Sequence, residues 1–103
     1  MAVWSVKITE NPGGPATFVA PDQPSAPAGT VYADPGDIVF WNNATEKTHQ
    51  LVLPDATLPP VAPRHQTDAW TVKSKPGETI EYNCLIHPDE KGTIVVTGEA
   101  QTS

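Results

Sequence analysis

The chain has 103 residues, of which 38% are hydrophobic and 12 are proline. This length suits one small domain with a single core, so we expect residues 1–103 to form one domain. A net charge of −6 argues against nucleic acid or an anionic membrane as a partner. It permits attraction to a basic protein, although solubility explains it equally well. No apolar run approaches the ~20 residues of a membrane-spanning helix.

Short segments of alternating hydrophobic and polar residues follow one another along the chain, and none shows helical spacing. Turn-forming residues separate these segments, and a proline-rich connection is predicted at 54–67. The predicted strands lie at 4–8, 17–20, 30–32, 38–42, 49–53, 69–73, 79–84 and 94–96. About seven or eight short strands with regular turns are typical of an antiparallel sandwich or small barrel. The sequence therefore predicts an all-β fold.

Cys84 ends the strand predicted at 79–84, and it is the only cysteine, so it forms no internal disulfide. It shares one face of that strand with Ile80 and Tyr82, so we expect it to point inward. A buried structural role is ordinary for a free cysteine. His87 favours a metal-binding role for Cys84. A turn places residues three apart close together, so Cys84 and His87 can bind the same metal ion. Two histidines and a cysteine with a weak axial ligand are typical of electron-transfer copper.

Two other histidines lie in or beside polar loops. His49 begins a predicted strand after the polar segment 42–48, and by itself it would be interpreted as a surface residue. His65 lies in a polar loop after Pro63. We expect His65 to be exposed and not to bind metal.

Two segments resemble motifs of the small blue copper proteins, the cupredoxins. Residues 36–43, Gly-Asp-Ile-Val-Phe-Trp-Asn-Asn, and then His49 after five more residues, are similar to the motif around the first histidine ligand. Residues 77–88, which end in Cys-Leu-Ile-His-Pro, are similar to the ligand loop, and the short spacing resembles amicyanin more than plastocyanin. Cys84 lies 35 positions after His49, in the family's order. The resemblance implies a Greek-key β-sandwich of about eight strands, with the metal ion near one end.

The resemblance also implies the metal and its ligands. His49, Cys84 and His87 would be the equatorial ligands of one copper ion per chain, which cycles between Cu(I) and Cu(II). The residue after the first histidine is usually asparagine in the family, but here it is Gln50. Its backbone N–H is still expected to bond the cysteine sulfur, whereas the family's side-chain contact between the two loops need not survive.

The axial position departs most from the family pattern. The family usually has methionine three residues after the second histidine, and this chain has Glu90 there. Met1 is the only methionine, and the chain start resembles a mature domain preceded by an added methionine. Glu90 would either be an axial carboxylate ligand or face solvent, which would leave a three-coordinate or water-bound site.

The resemblance implies one-electron transfer and no enzymatic activity. A redox protein would dock near the His87 ring edge, on a small patch that includes Leu85, Ile86 and Pro88. We expect a monomer that works outside the cytoplasm, in the periplasm or as a secreted protein, with no signal peptide in this chain. Two alternatives remain open: a copper carrier or store, and a copper site with open coordination that acts as an enzyme or small-molecule sensor.

Overall fold

The computed structural model describes residues 2–27 and 29–98, and within them it has nine strands and no helix. No described segment is a helix that is long and apolar enough to cross a membrane. The strands are β1 (Val3–Asn11), β2 (Gly14–Val19), β3 (Thr30–Ala33), β4 (Ile38–Asn43), β5 (Leu51–Leu53), β6 (Ala56–Thr57), β7 (Trp70–Thr71), β8 (Thr79–Cys84) and β9 (Lys91–Val96). The predicted all-β sandwich is confirmed.

The strands form two sheets that share one core. One sheet has the order β2-β1-β4-β7 and the other has the order β3-β9-β8-β5-β6. The pairs β1–β4 and β3–β9 are parallel, and the other pairs are antiparallel. The pattern was interpreted as typical of an antiparallel sandwich or small barrel, and these two parallel pairs depart from that interpretation. Alternation predicts which side chains face inward, but it carries no information about the direction of a partner that lies far away in the chain.

Strand boundaries differ most where turn residues dominate. β2 begins at Gly14, earlier than predicted, because Pro12 and Gly13 suffice for the turn and Gly13 adopts a positive φ of 74°. The proline-rich connection contains the short strand β6. Its two residues are too few to show an alternating pattern in the sequence. β7 is limited to Trp70–Thr71. The strand that ends at Cys84 has the predicted bounds.

An aromatic cluster at the centre of the core joins the two sheets close to Cys84. Tyr82 on β8 packs edge-on against Phe18 at 5.0 Å and against Trp41 at 5.2 Å between ring centroids. Gly92 lies opposite Tyr82 on β9, where a Cβ atom would come within 2.3 Å of the ring. The absent side chain lets the ring cross the neighbouring strand, so this packing fixes the end of β8.

Candidate metal centre

The loop between β8 and β9 brings three of the four candidate ligands together. The Cys84 N–H donates to the Glu90 carbonyl at 2.9 Å, and the Glu90 N–H donates to the His87 carbonyl at 2.9 Å. The first bond extends the antiparallel ladder by one pair beyond Asn83 and Lys91. The second bond closes a turn that directs His87 back toward Cys84.

Glu90 is buried, with 5% of its surface exposed. Partners across a ladder lie on the same face, so Glu90 points inward together with Cys84. Its Oε2 accepts a hydrogen bond from the Ala16 N–H of β2 at 2.9 Å. The structure therefore places Glu90 inside the cluster, and of the two orientations left open by the sequence it adopts the inward one.

His49 reaches the same cluster from the other motif. Its backbone forms a bridge with Val61, through an N–H donated to the Val61 carbonyl at 3.1 Å and a carbonyl that accepts at 2.7 Å. Alternation along this segment buries His49 together with Leu51 and Leu53. The expected surface position of an isolated loop histidine does not occur, since His49 is 1% exposed.

Four donor atoms from these residues lie within 4.8 Å of one another. Glu90 Oε1 lies 2.9 Å from His49 Nδ1 and 3.5 Å from His87 Nδ1. Cys84 Sγ lies 3.7 Å from each of the same two nitrogens. One thiol, two imidazoles and one carboxylate oxygen thus surround a common point.

The protonation chemistry of this cluster fits a metal ion. Glu90 Oε1 is buried without a hydrogen-bond partner of good geometry, despite its short distance to His49 Nδ1. A buried carboxylate oxygen without a partner is costly unless a cation compensates it. Burial lowers the pKa of His49 below its ordinary 6.5, although the Glu90 carboxylate acts in the opposite direction. The neutral imidazole that results is the form that binds metals.

A backbone hydrogen bond supports the cysteine sulfur. The Gln50 N–H points to Cys84 Sγ at 3.5 Å, and the Gln50 carbonyl accepts from Leu85 N–H at 2.7 Å. The Gln50 side chain instead donates to the Leu58 carbonyl at 3.0 Å. The expected backbone contact is therefore present, while this side chain turns away from the cysteine loop.

His87 and His65 differ from His49 in exposure. The His87 side chain is 33% exposed, and its neighbours Leu85 and Ile86 are 55% and 49% exposed. Pro88 is exposed as well. His65 is exposed and lies outside the cluster. An apolar surface with one imidazole therefore borders the buried site.

Two residues that the sequence analysis did not single out lie behind His49: Thr45 contacts the ring, and Asn43 contacts Thr45. Thr45 Oγ1 lies 2.8 Å from His49 Nε2, and Asn43 Oδ1 lies 2.6 Å from Thr45 Oγ1. Both are buried. The only available signal was their position in the polar segment before His49, which does not distinguish a buried network from a solvated loop.

Solved structures with a similar fold include copper proteins. The chain is similar to a purple cupredoxin from Nitrosopumilus maritimus, with a TM-score of 0.69 and 16% identity over 90% of this chain and 98% of that one. It is similar to a proline-to-glycine variant of amicyanin in its reduced Cu(I) form at pH 4, with a TM-score of 0.63 and 20% identity over 89% of this chain and 79% of that one. A methionine-to-alanine variant of amicyanin with Cu(I) gives 0.61 and 19% over the same shares.

No protein-family model and no curated protein sequence matches the chain. Because the sequence identities are low, the structural similarity establishes the fold alone. The chain therefore has the cupredoxin fold, with a cluster of His49, Cys84, His87 and Glu90 in which glutamate stands where methionine is usual.

Proposed function

We propose that this chain, which has the cupredoxin fold, is a mononuclear copper protein that transfers one electron at a time. In this proposal His49, Cys84, His87 and Glu90 bind one copper ion. The observation that carries it is the convergence of a thiol, two imidazoles and an unpartnered carboxylate oxygen beside an apolar core. Bound copper would supply the one-electron chemistry between Cu(I) and Cu(II).

The backbone around the four side chains supports this role. The bridge to Val61 holds His49, and the ladder between β8 and β9 holds Cys84 and Glu90. Ligands on rigid elements keep their positions better than ligands on free loops. The protein would therefore rearrange little when it gains or loses an electron.

Glu90 would adjust the reduction potential. A carboxylate is a harder and more anionic ligand than a thioether, so it favours Cu(II) over Cu(I). The inward orientation of Glu90 and the unpartnered Oε1 support axial ligation. We therefore expect a lower reduction potential than that of the same site with methionine.

Reversible redox cycling tests the proposed function. The copper-loaded protein should be reduced and reoxidised repeatedly by one electron per chain, without loss of copper to a chelator in the solution. Release of copper in each reduced phase would instead support a carrier or storage role. A set of four nitrogen, sulfur and oxygen donors can also bind Zn²⁺. Tighter binding of zinc than of either copper state would contradict the proposal.

The exposed apolar residues around His87 are the proposed docking surface for a redox protein, with this chain acting as a monomer outside the cytoplasm. Leu85 is 55% exposed beside the half-buried His87 ring. Leu85→Glu should slow electron exchange with a protein partner and leave the copper spectrum unchanged. Val3→Glu is a matched control, because Val3 is 59% exposed at the other end of the sandwich. Equal slowing in both variants would contradict a local docking surface.

A second candidate function is the binding of a small molecule at the metal. A cavity of about 520 Å³ between the β1–β2 turn and the site is lined by residues that include Lys47, His49 and Glu90. Azide added to the copper-loaded protein should change the optical spectrum if this cavity admits ligands to the metal. An unchanged spectrum at high azide concentration would contradict ligand binding at the metal.

A further inference from the structure

The buried side chains of Asn43 and Thr45 form a hydrogen-bond network behind His49, on the side away from the candidate metal position. Both residues are at most 2% exposed. The network reaches His49 at Nε2, whereas Nδ1 faces Cys84 and Glu90. The two ring nitrogens therefore have different environments, and the donors and acceptors around them determine which nitrogen carries the proton.

The orientation of the Asn43 amide follows from its neighbours. Its Nδ2 donates to the carbonyl oxygens of Lys47 at 2.7 Å and Val61 at 3.1 Å, and these oxygens can only accept. Its Oδ1 accepts from the Thr45 backbone N–H at 3.0 Å, which can only donate. Oδ1 is therefore fixed as the acceptor that faces the Thr45 side chain.

The Thr45 hydroxyl has a single hydrogen, and an oxygen acceptor other than the His49 ring takes it. Its shortest contact is the 2.6 Å approach to Asn43 Oδ1, which cannot donate. Its next oxygen neighbour, the Lys47 carbonyl at 3.0 Å, cannot donate either. The hydroxyl must therefore give its hydrogen to one of these oxygens and accept at the 2.8 Å contact with His49 Nε2.

This assignment places the proton of the neutral His49 ring on Nε2 and leaves the lone pair on Nδ1. On the other side of the ring, Glu90 Oε1 lies 2.9 Å from Nδ1 without a well-aligned hydrogen bond, so the two lone pairs face the point that the proposed metal ion would occupy. The opposite tautomer would leave Nε2 and the Thr45 oxygen as two acceptors in contact. Hydrogen bonds to the distal nitrogen of a metal-binding histidine fix the tautomer and orient the ring.

We propose that Asn43 and Thr45 are positioning residues that hold His49 in the Nε2–H tautomer before metal binds, with Nδ1 directed at the metal. The inference rests on the proposed metal site. It goes beyond the ligand set because it assigns the preparation of one ligand to a side-chain network. His87 provides the contrast: within the described part of the chain, its Nε2 has no hydrogen bond from the protein, and its side chain is 33% exposed.

The test uses the copper-free, reduced protein labelled with ¹⁵N, and it compares Thr45→Val, Thr45→Ser and Thr48→Val. Valine matches threonine in shape but cannot accept a hydrogen bond, whereas serine can. Thr48 is exposed in the same segment, so Thr48→Val controls for the loss of a nearby hydroxyl. Proton–nitrogen correlation spectra at neutral pH report the tautomer directly, and competition with a chelator reports Cu(I) affinity.

Wild type, Thr45→Ser and Thr48→Val should show the Nε2–H tautomer of His49. Thr45→Val should populate the Nδ1–H tautomer, because Glu90 Oε1 is then the remaining acceptor, and its Cu(I) affinity should fall about 10- to 100-fold. Should Thr45→Val not fold, Thr45→Ala provides the same comparison.

An Nδ1–H tautomer in the wild type, or an unchanged tautomer and Cu(I) affinity in Thr45→Val, would overturn the inference. The expected tautomers in a protein that binds no copper would support the network and contradict the proposed function instead. The two proposals can therefore fail separately.

Discussion

Two buried carboxylates occupy opposite ends of this sandwich, and their surroundings differ. Asp37 precedes β4 and is 4% exposed. Its Oδ1 accepts from the Ala2 N–H at 2.8 Å, and its Oδ2 accepts from Trp4 Nε1 and the Asp34 N–H, both at 2.9 Å. Every oxygen of Asp37 has a donor that belongs to the protein.

Glu90 is equally buried at the end where β4 terminates in Asn43. Only Oε2 has a donor, the Ala16 N–H, while Oε1 faces two imidazoles and a thiol. The comparison suggests a division of roles. Asp37 joins the start of β1 to the start of β4 and stabilises the fold, whereas Glu90 keeps one oxygen available for the proposed metal ion.

The largest expected effect is the loss of stability in Asp37→Ala. This change leaves three donors without an acceptor, and we expect it to cost about 3 to 5 kcal/mol of unfolding free energy. Urea unfolding of the copper-free protein measures the loss. The folded fraction should keep the wild-type copper spectrum, because Asp37 lies far from the cluster. A changed spectrum would mean that the two ends are coupled, and it would contradict the separate roles of Asp37 and Glu90.

Glu90→Gln should show the reverse pattern: a small change in stability and a clear change in the copper site. The amide oxygen can still accept from Ala16, so we expect the unfolding free energy of the copper-free protein to change by only about 1 kcal/mol or less. The reduction potential of the copper-loaded protein should rise because an anionic ligand is lost, and Glu90→Met should give a still higher potential and a bluer spectrum. Voltammetry and optical spectra measure both. If neither variant changes them, Glu90 does not act on the metal.

Acid should remove the stabilisation by Asp37. Burial by itself raises the pKa of Asp37, but the hydrogen bonds from Ala2, Trp4 and Asp34 together lower it below the ordinary 3.8. A carboxyl whose pKa is lower in the folded state stabilises the fold above its unfolded-state pKa, about 3.9, and this contribution is lost as pH falls through the folded-state pKa.

The check is the difference in unfolding free energy between the wild type and Asp37→Asn as a function of pH, measured without copper. This difference should be constant above about pH 4 and shrink below it. A difference that grows in acid would contradict the sign of the pKa shift.

The smallest expected effect belongs to His65→Ala. His65 is exposed and outside the cluster, so copper stoichiometry, spectrum and potential should not change. Metal analysis and an optical spectrum suffice to check this. Any shift in the spectrum would show that the metal site extends beyond the four proposed ligands.

Much of the fold and of the site follows from period-two alternation. It predicted the inward face of β8 and the strand ending at Cys84. The same pattern also predicts that Glu90 points inward, because every second residue from Glu90 to Val96 is buried: Glu90, Gly92, Ile94 and Val96. The orientation of Glu90 stayed open because the strand predicted at 94–96 stopped short of Gly92, whereas β9 begins at Lys91.

Other features were beyond the reach of sequence patterns. The parallel pairs β1–β4 and β3–β9 join segments that lie far apart in the chain. The Thr45 network depends on which way one amide and one hydroxyl point, which the order of residues does not specify. Such contacts follow from tertiary packing and not from local propensity.

The most direct test of the central claim is a titration of the wild-type protein with Cu(II), followed by optical absorption and electron paramagnetic resonance. We expect intense visible absorption from thiolate-to-copper charge transfer that saturates at one copper per chain and is absent in Cys84→Ser. Axial coordination by Glu90 should move the colour from blue toward green or red. A colourless wild-type complex, or a coloured Cys84→Ser variant, would contradict the assignment of this cluster as a copper–thiolate site.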